Sequence, residues 1–322
     1  MQAPNHNEAI LLVNMGGPDS LDQVRPFMRA IFRDPAILPI PTWLRWFVAD
    51  RITARRTDAV MERYRQIGGK SPLHQWTRSL CKELNTQIRT NGDQRSVTYA
   101  FRYTSPTITE ALQTLQSQGM RNVCVLPLFP HHTSAMTGSV LLETSHAARG
   151  LGIIWRSIPA WGNQPPIIEL WSEYLKRSVE SAGETARVLF VAHGIPQRNV
   201  RRGETYPQQV QETAIALAAA LPAGMEWTLA YQSKVGPIAW TQPYMEAELH
   251  RLAAASDEPI VIMPISFAAD CLETLYDLDL VAMEIARRHN VQTVIRVRVF
   301  NDDPRFAAAL ASLLHEETHV TG

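Results

Sequence analysis

The stretch Leu189-Phe-Val-Ala-His-Gly-Ile-Pro196 is a short apolar run that ends in a histidine and then turns at glycine and proline. A similar stretch, Leu11-Leu-Val-Asn-Met-Gly-Gly-Pro18, lies near the start of the chain. Both are followed by longer segments with helical periodicity, and this alternation is typical of βαβ units with parallel strands. The two stretches therefore predict an α/β fold in which a strand that ends in this way occurs twice.

Two further pairs of strand ends follow in the same order along the chain. Tyr99-Ala-Phe-Arg-Tyr-Thr-Ser-Pro106 parallels Leu229-Ala-Tyr-Gln-Ser-Lys-Val-Gly-Pro237, and Val123-Cys-Val-Leu-Pro-Leu-Phe129 parallels Ile260-Val-Ile-Met-Pro-Ile-Ser-Phe267. This weak repeat predicts two similar α/β domains, 1–160 and 161–322, with an insertion at about 34–72 in the first. The predicted strands are Ile10–Asn14, Val97–Tyr103, Val123–Leu128, Ile153–Ile158, Val188–His193, Trp227–Gln232, Ile260–Pro264 and Val294–Phe300. The helical patterns include Ser71–Arg89, Thr107–Gln118, Ile167–Ser181, Pro207–Leu221 and Leu272–Arg288.

Composition narrows the class of protein. The 31 Lys and Arg residues balance 31 Asp and Glu residues, so overall charge does not favour a nucleic-acid partner. The three cysteines, Cys81, Cys124 and Cys271, form no CxxC pair or disulfide framework, which fits a reducing compartment. The N-terminal residues are polar and no run is apolar enough to span a membrane. We expect a soluble, cytoplasmic protein, with a monomer as the default.

Ligands bind beyond the carboxyl ends of the strands in open parallel sheets. Two such domains facing each other would line one cleft with the residues that follow their strands. These are Met15, Arg102–Tyr103, Pro130–Ser139, His193, Gln232–Lys234 and Phe267–Glu273.

His193 and a row of acids are the main candidates for chemistry. An imidazole at the end of a strand can take a proton near neutral pH or hold a divalent metal, although a bond to a nearby carbonyl is the usual role of such a histidine. Asp270, Glu273 and Asp277 are spaced three and four residues apart, which places them on one face of a helix. The alternative is structural: Asp270 is a natural N-cap, and Glu273 is placed like the acid of a capping box.

The turn Gly16-Gly17-Pro18 lacks the spacing of a phosphate loop, so nucleotide binding is disfavoured. Its glycines fit a tight turn and close approach of the backbone to a flat ligand. The insertion that follows crowds aromatic side chains between Trp43 and Phe47 and ends in Arg51, Arg55 and Arg56. Such a segment suits a large planar acid or a membrane surface, and equally a core helix with a solvated basic end.

The loop Pro130–Ser139 carries two adjacent histidines but no zinc signature. GxSxG is also absent, so nothing supports hydrolase chemistry.

Taken together, these motifs resemble those of the ferrochelatase family, and the resemblance covers nearly the whole chain. It rests on Asn14-Met-Gly-Gly-Pro-Asp19, Arg55-Arg-Thr57, Tyr64-Arg-Gln-Ile-Gly-Gly-Lys-Ser-Pro72, Phe101-Arg-Tyr103, Ala192-His-Gly-Ile-Pro196, Tyr206-Pro-Gln208, Tyr231-Gln-Ser-Lys-Val-Gly-Pro237 and Asp270-Cys-Leu-Glu-Thr-Leu-Tyr276.

The resemblance implies two Rossmann-like domains, each a parallel sheet flanked by helices, with the active-site cleft between them; the last helix is expected to pack back on the first domain. It implies a metal chelatase, a lyase that inserts ferrous iron into protoporphyrin IX in the last step of haem synthesis. His193 and Glu273 would be the catalytic and metal-site pair, with Asp277 continuing the acidic line. The implied porphyrin contacts are Met15, Arg56, Tyr64, Ser71, Arg102, Trp161 and Phe267.

Three departures from the family pattern are visible. Cys271 stands where some members have histidine, and His132 stands where an aromatic residue is more usual. No cysteine follows Cys271, so we expect no iron–sulfur cluster and no cofactor, with Fe²⁺ as a substrate. Peripheral membrane contact through Trp43–Phe47 is a further expectation.

Three alternatives remain open from the sequence. The porphyrin could be coproporphyrin, or the enzyme could be a related cobalt chelatase acting on a different tetrapyrrole. A non-enzymatic porphyrin or haem carrier would need the aromatic residues but not the acids, so Asp270, Glu273 and Asp277 argue against it.

Overall fold

The computed structural model describes residues 8–234 and 236–314. The polar N-terminal residues 1–7 and Val235 of the Tyr231–Pro237 motif lie outside these residues. Among the described residues, no helix combines the length and the apolar character needed to cross a membrane.

Two four-stranded parallel sheets form the framework of the described chain. Their strand orders are β2-β1-β3-β4 and β6-β5-β7-β8, so the second sheet repeats the first, and the predicted repeat is confirmed. The strands are β1 (Glu8–Asn14), β2 (Ser96–Phe101), β3 (Asn122–Pro127), β4 (Ile154–Ser157), β5 (Arg187–His193), β6 (Trp227–Gln232), β7 (Ile260–Pro264) and β8 (Val294–Arg296). All eight predicted strands are present, but the last is shorter than the predicted Val294–Phe300, because its pairing with β7 ends at Arg296.

Helices connect the strands and flank both sheets, as expected for crossover connections between parallel strands. They are α1 (Val24–Arg33), α2 (Thr42–Gln66), α3 (Leu73–Thr90), α4 (Ile108–Ser117), α5 (Ser139–Leu151), α6 (Pro165–Ala182), α7 (Gln197–Arg201), α8 (Tyr206–Ala218), α9 (Met245–Ala255), α10 (Ala282–Arg288) and α11 (Pro304–Leu313). A 3₁₀ turn covers Leu21–Gln23, and π-helices cover Ser134–Gly138 and Glu273–Val281.

The chain divides into two compact units, each containing one sheet. Unit 1 takes in the described residues of Met1–Ala160 and Asn301–Gly322, and unit 2 is Trp161–Phe300. Helix α11 packs against α3 in unit 1, where the Ser79 hydroxyl donates a hydrogen bond of 2.5 Å to Asp302. The last helix of the described residues thus completes the unit that contains the first strand.

Each unit has an apolar core around the second strand in its sheet order, which is β1 in unit 1 and β5 in unit 2. In each unit a buried arginine holds the amino end of that strand. Every residue of β1 is buried, as are the first six residues of β5. In unit 1 the Arg95 guanidinium lies 2.7 Å from Glu8 and 2.7 Å from Asp93. In unit 2 Arg187 donates to the carbonyl oxygens of Leu252, within α9, and of Ser256, which follows α9. Pairing of these buried charges leaves the carboxyl edges of the sheets as the place for ligands.

Candidate functional site

The carboxyl edge of the unit 2 sheet carries the histidine that the sequence singled out. His193 is the last residue of β5, and its register partner on β6 is Gln232. On the other side, β5 pairs with β7, whose carboxyl end leads through Ser266 and Phe267 into the acidic helix. One edge of a single sheet therefore carries His193 and the start of the segment that holds the predicted acids.

The backbone and the ring of His193 are both held by hydrogen bonds. Its N–H donates to the Ser266 hydroxyl at 2.8 Å, and the Tyr206 hydroxyl donates to its carbonyl oxygen at 2.9 Å. Ring atom Nδ1 lies 2.7 Å from the Gly194 carbonyl oxygen. Because a carbonyl oxygen only accepts, Nδ1 carries the hydrogen in the neutral ring, and Nε2 keeps its lone pair. The bond to a nearby carbonyl is thus present, and it leaves Nε2 as the basic atom.

The helix that carries Glu273 and Asp277 is a π-helix, Glu273–Val281. The sequence predicted a regular helical stripe, which is wrong in detail, because the i to i+5 hydrogen bonds of a π-helix give a wider turn. In a turn wider than 3.6 residues, two residues four apart stand more nearly above one another than in an α-helix. Glu273 and Asp277 therefore keep a shared face, and both are half-buried.

Asp270 does not act as the N-cap predicted from the sequence. The residue that precedes the π-helix is Leu272, and no side chain caps this end. Asp270 instead accepts a hydrogen bond from the Thr274 hydroxyl at 2.9 Å and lies 3.1 Å from the Arg296 guanidinium. Its carboxylate is thereby held by β8 rather than by the helix backbone.

Arg296 divides the acids of this segment into two groups. It pairs with Asp270 and also with Asp279, so these two carboxylates have a cationic partner. Asp277 instead accepts a hydrogen bond of 3.4 Å from the Ser233 hydroxyl at the end of β6. The Glu273 carboxylate lies against the buried Cys271 thiol and contributes, after burial, to raising the pKa of that thiol. Arg296 therefore pairs with Asp270 and Asp279, whereas Asp277 contacts the end of β6.

Unit 1 contains three of the uncharged residues that the resemblance assigned to the porphyrin: Met15, Tyr64 and Ser71. Met15 is half-buried, and its carbonyl oxygen accepts a hydrogen bond from the Tyr103 N–H at 3.1 Å. Ser71 is 4% exposed, its N–H donates to the Pro18 carbonyl oxygen, and its hydroxyl faces Gly17. Tyr64, near the end of α2, is also 4% exposed. Ser71 thus supports the turn after β1, whereas Tyr64 is buried near the end of its own helix, and contact of either residue with a ligand stays a prediction.

The two arginines assigned to the porphyrin have different surroundings. The Arg102 guanidinium lies 2.9 Å from the buried Asp34 carboxylate and donates to the Ser139 hydroxyl at 2.7 Å. Arg56 is half-buried, with its guanidinium 6.0 Å from the centre of the Phe32 ring. Burial, and then repulsion by Arg63, lowers the pKa of Arg56. Arg56 is therefore the better placed of the two to gain from an acidic ligand.

In unit 2, the remaining predicted contacts are Trp161 and Phe267. Trp161 is 1% exposed, and its ring lies 6.4 Å from that of Phe300 between centres, so the indole is part of the core. Phe267 is half-buried in the segment after β7. Of the pair, Phe267 is the residue with surface available to a ligand.

The histidine loop of unit 1 contains the second π-helix of the structure, Ser134–Gly138. His131 is buried, and burial lowers its pKa to about 3, so the ring is neutral at physiological pH. His132 is half-buried. Within residues 8–234 and 236–314, no three His, Cys, Asp or Glu side chains gather closely enough to hold a metal ion. The assignment of His193 and Glu273 to the metal stays a prediction.

Two residues that carry the geometry of these edges were not singled out by sequence reasoning. Asp34 organises the surroundings of Arg102, and Gln232 lies beside His193. Gln232 was recognised only as part of a strand end. Asp34 marked only the start of the insertion, because no local pattern reveals a partner 68 residues away.

Comparison with known proteins gives consistent results over almost the whole length. The sequence profile of the family described as Ferrochelatase matches residues 7–318. The Ferrochelatase of Synechococcus sp. (strain RCC307) is 34% identical over 322 residues, covering 97% of this chain and 82% of the relative. The Ferrochelatase of Caulobacter vibrioides (strain NA1000 / CB15N) is 33% identical over 312 residues, covering 96% and 89%.

Solved structures with a similar fold are more distant in sequence. SirB from Bacillus subtilis with Fe³⁺ has a TM-score of 0.55 at 15% identity and covers 95% of this chain and 93% of its own. The sirohydrochlorin chelatase SirB from Bacillus subtilis subspecies spizizenii in complex with cobalt has a TM-score of 0.56 at 14% identity and covers 96% and 94%. At these identities the likeness establishes the fold alone.

Proposed function

Because the chain belongs to the ferrochelatase family, we propose that it inserts ferrous iron into protoporphyrin IX, completing protohaem at the end of haem synthesis. The observation that carries the proposal is the carboxyl edge of the unit 2 sheet. There, a histidine with its Nε2 lone pair available shares an edge with the helix that carries Glu273 and Asp277, while the neighbouring Asp270 and Asp279 pair with Arg296.

His193 is proposed as the proton acceptor. Metal insertion removes two protons from pyrrole nitrogens, and a neutral imidazole accepts a proton efficiently near neutral pH. The bond from Nδ1–H to Gly194 fixes the tautomer, so the ring need not reorganise before it acts. The same Nε2 atom would be the ligand atom of His193 if His193 and Glu273 together bind the metal.

Glu273 and Asp277 are proposed to handle the cation and the departing protons. Carboxylate oxygens hold Fe²⁺ more loosely than a thiolate cage would, which suits an ion that must be passed on. In the π-helix, residues four apart lie almost one above the other along the helix axis. Glu273 and Asp277 would therefore form two successive binding positions on one face of the helix. Of the two acids, Glu273 is the nearer in sequence to the end of β7.

The unit 1 edge is proposed to recognise the porphyrin. Arg56 would bind a propionate, because a half-buried guanidinium regains electrostatic stabilisation from a carboxylate. Met15 would contact the apolar ring, since it is half-buried and follows a strand end. Binding energy from these contacts would offset the cost of puckering the macrocycle.

The test is an anaerobic metallation assay in which protoporphyrin and coproporphyrin are offered separately with Fe²⁺ and, in parallel, with Co²⁺. We expect the free-base spectrum of protoporphyrin to convert to that of haem. His193→Ala and Glu273→Gln should each lower kcat by at least a hundredfold without a change in the thermal midpoint. The matched controls are His146→Ala and Glu246→Gln, both exposed positions, which should retain wild-type rates.

Faster turnover of coproporphyrin than of protoporphyrin, or of Co²⁺ than of Fe²⁺, would show that the faster substrate is the preferred one. Tight haem binding with no turnover of any pair would identify a carrier. Full activity of either site variant would remove that residue from the mechanism.

A peripheral membrane contact is proposed for the start of α2. Trp43, Trp46 and Phe47 are 77%, 53% and 68% exposed, which is unusual for adjacent large apolar side chains. The Arg33 guanidinium lies 4.7 Å from the centre of the Trp46 ring, and it shares the Asp50 carboxylate with Arg29, so the two arginines leave one positive charge beside the patch. Indole rings beside arginine suit the headgroup layer of an anionic bilayer.

Vesicle flotation tests this contact. Wild-type protein should float with vesicles of phosphatidylglycerol and phosphatidylcholine, and Trp43→Ser with Phe47→Ser should abolish flotation. Ile154→Ser, which removes another exposed apolar side chain of unit 1 at 72% exposure, is the control that should leave flotation unchanged. Wild-type protein that stays with the soluble fraction would rule the contact out.

A further inference from the structure

Gln232 is a buried amide at the carboxyl end of the second unit's sheet. It is the last residue of β6 and is 3% exposed. Among the described residues, neither its Oε1 nor its Nε2 finds a partner. Buried polar groups are nearly always satisfied in folded proteins, because leaving them unpaired is costly. A side chain with both ends unsatisfied therefore points to a ligand or to water in the working protein.

The position of Gln232 connects it to His193. The two residues are register partners in the parallel pair β5 and β6, so their side chains project from the same face of the sheet about 5 Å apart. The chain is also tightly packed here, since the Gly194 N–H donates to the Gln232 carbonyl oxygen at 2.9 Å. A Cβ on Gly194 would lie only 2.9 Å from that same oxygen, which explains the glycine.

The next residue connects the same strand end to the acidic helix. Ser233 has a φ of +66°, an unusual value for a residue with a side chain. Its hydroxyl donates to Asp277 at 3.4 Å. At the end of β6, Gln232 thus lies beside His193, and the next residue, Ser233, contacts Asp277.

We propose that Gln232 is a positioning residue whose amide holds a water molecule beside the His193 ring. The inference rests on the proposed function. One proton would pass from a pyrrole nitrogen to Nε2 of His193, and from the imidazolium to that water, with no change of oxidation state. An amide suits the task because it can donate to the water through Nε2 and accept from it through Oε1. Because the amide is neutral, it also does not compete with the carboxylates for the metal cation.

The test is Gln232→Leu, which removes both polar atoms at similar volume, with Gln232→Met as a second apolar variant in case leucine prevents folding. We expect kcat for metallation to fall at least tenfold while KM for the porphyrin stays within twofold. The thermal midpoint should be unchanged or higher, because an unsatisfied amide is lost from the core. Gln232→Glu, which can still accept from the water, should recover part of kcat.

Gln116→Leu is the matched control. The Gln116 amide donates to the Leu151 carbonyl oxygen at 2.7 Å, so this variant should lower the thermal midpoint and leave kcat unchanged. A wild-type kcat in Gln232→Leu, or a fall in its thermal midpoint as large as that of Gln116→Leu, would overturn the role of Gln232 while leaving the proposed function intact. A wild-type protein that metallates no porphyrin would refute the proposed function, and the role of Gln232 with it.

Discussion

The Arg102 guanidinium lies 2.9 Å from the carboxylate of Asp34, whose side chain is only 1% exposed. Asp34 also accepts hydrogen bonds from the Ser139 hydroxyl at 2.5 Å and from the Tyr103 hydroxyl at 2.9 Å. Burial and the Asp34 charge raise the pKa of Tyr103, so its hydroxyl remains a donor. The aspartate that opens the loop after α1 is thereby joined to the end of β2 and to the start of α5.

Replacing Asp34 by alanine should cost about 3 kcal/mol of unfolding free energy, because the half-buried Arg102 guanidinium loses its nearer counter-ion and keeps only Glu143 at 3.7 Å. Urea titration of Asp34→Ala, Arg102→Ala and the double variant would measure the coupling. We expect the double variant to be more stable than the sum of the single effects by about 1–3 kcal/mol. Additive losses would show that the pair contributes no interaction energy.

The strands and the repeat between the two halves could be predicted from the sequence because short apolar runs specify buried strands locally. The repeat of strand ends then matched the strand order in both sheets. The same local signal explains the error at the last strand. Val297, Val299 and Phe300 are buried and apolar, yet the pairing of β8 with β7 ends at Arg296. Burial is visible in sequence, whereas the partner strand is not.

The acidic helix shows a second limit. A spacing of three and four residues predicts a helix, but it does not distinguish i to i+4 from i to i+5 hydrogen bonds, so the π-helix could not be foreseen. The role of Asp270 was missed for a similar reason. Its partner Arg296 lies 26 positions away on β8, and only the sheet brings them within 3.1 Å. Local propensity favoured the cap, and the tertiary ion pair prevailed.

Acid should destabilise unit 1 through His131. Burial lowers its pKa to about 3 from 6.5, so between these values the unfolded chain binds a proton that the native chain does not. Stability contributed by this residue therefore falls as pH falls below 6.5, with a slope approaching about 1.4 kcal/mol per pH unit. Urea titrations between pH 7.5 and 4.5 should show a weaker pH dependence for His131→Gln than for wild type. His146→Gln, at an exposed position, should follow the wild-type curve, and equal curves for all three proteins would contradict the assignment.

The three thiols should resist modification in the native protein. All are buried, and burial raises the pKa of Cys81 to about 11 and that of Cys124 to about 12. The reactive thiolate is then a minor form at pH 8, roughly one part in a thousand for Cys81. A colorimetric disulfide reagent should titrate no thiol within minutes in buffer and three per chain in guanidinium chloride. Fast reaction of one thiol in buffer would show that its burial is transient.

Gly17 should tolerate no side chain while Ser71 is present. A Cβ at this position would come within 3.0 Å of both the Ser71 hydroxyl and its Cβ, and the Ser71 backbone is held by the Pro18 carbonyl oxygen. Gly17→Ala must therefore displace the turn after β1 or the start of α3, which should cost about 1–3 kcal/mol. Ser71→Gly removes the obstructing atoms, so the double variant Gly17→Ala, Ser71→Gly should be more stable than Gly17→Ala alone. Thermal midpoints of the four proteins would measure this rescue, and KM for the porphyrin should rise in Gly17→Ala because Met15 precedes the same turn. If the double variant were the least stable of the four, the close approach of Gly17 to Ser71 would not be the cause.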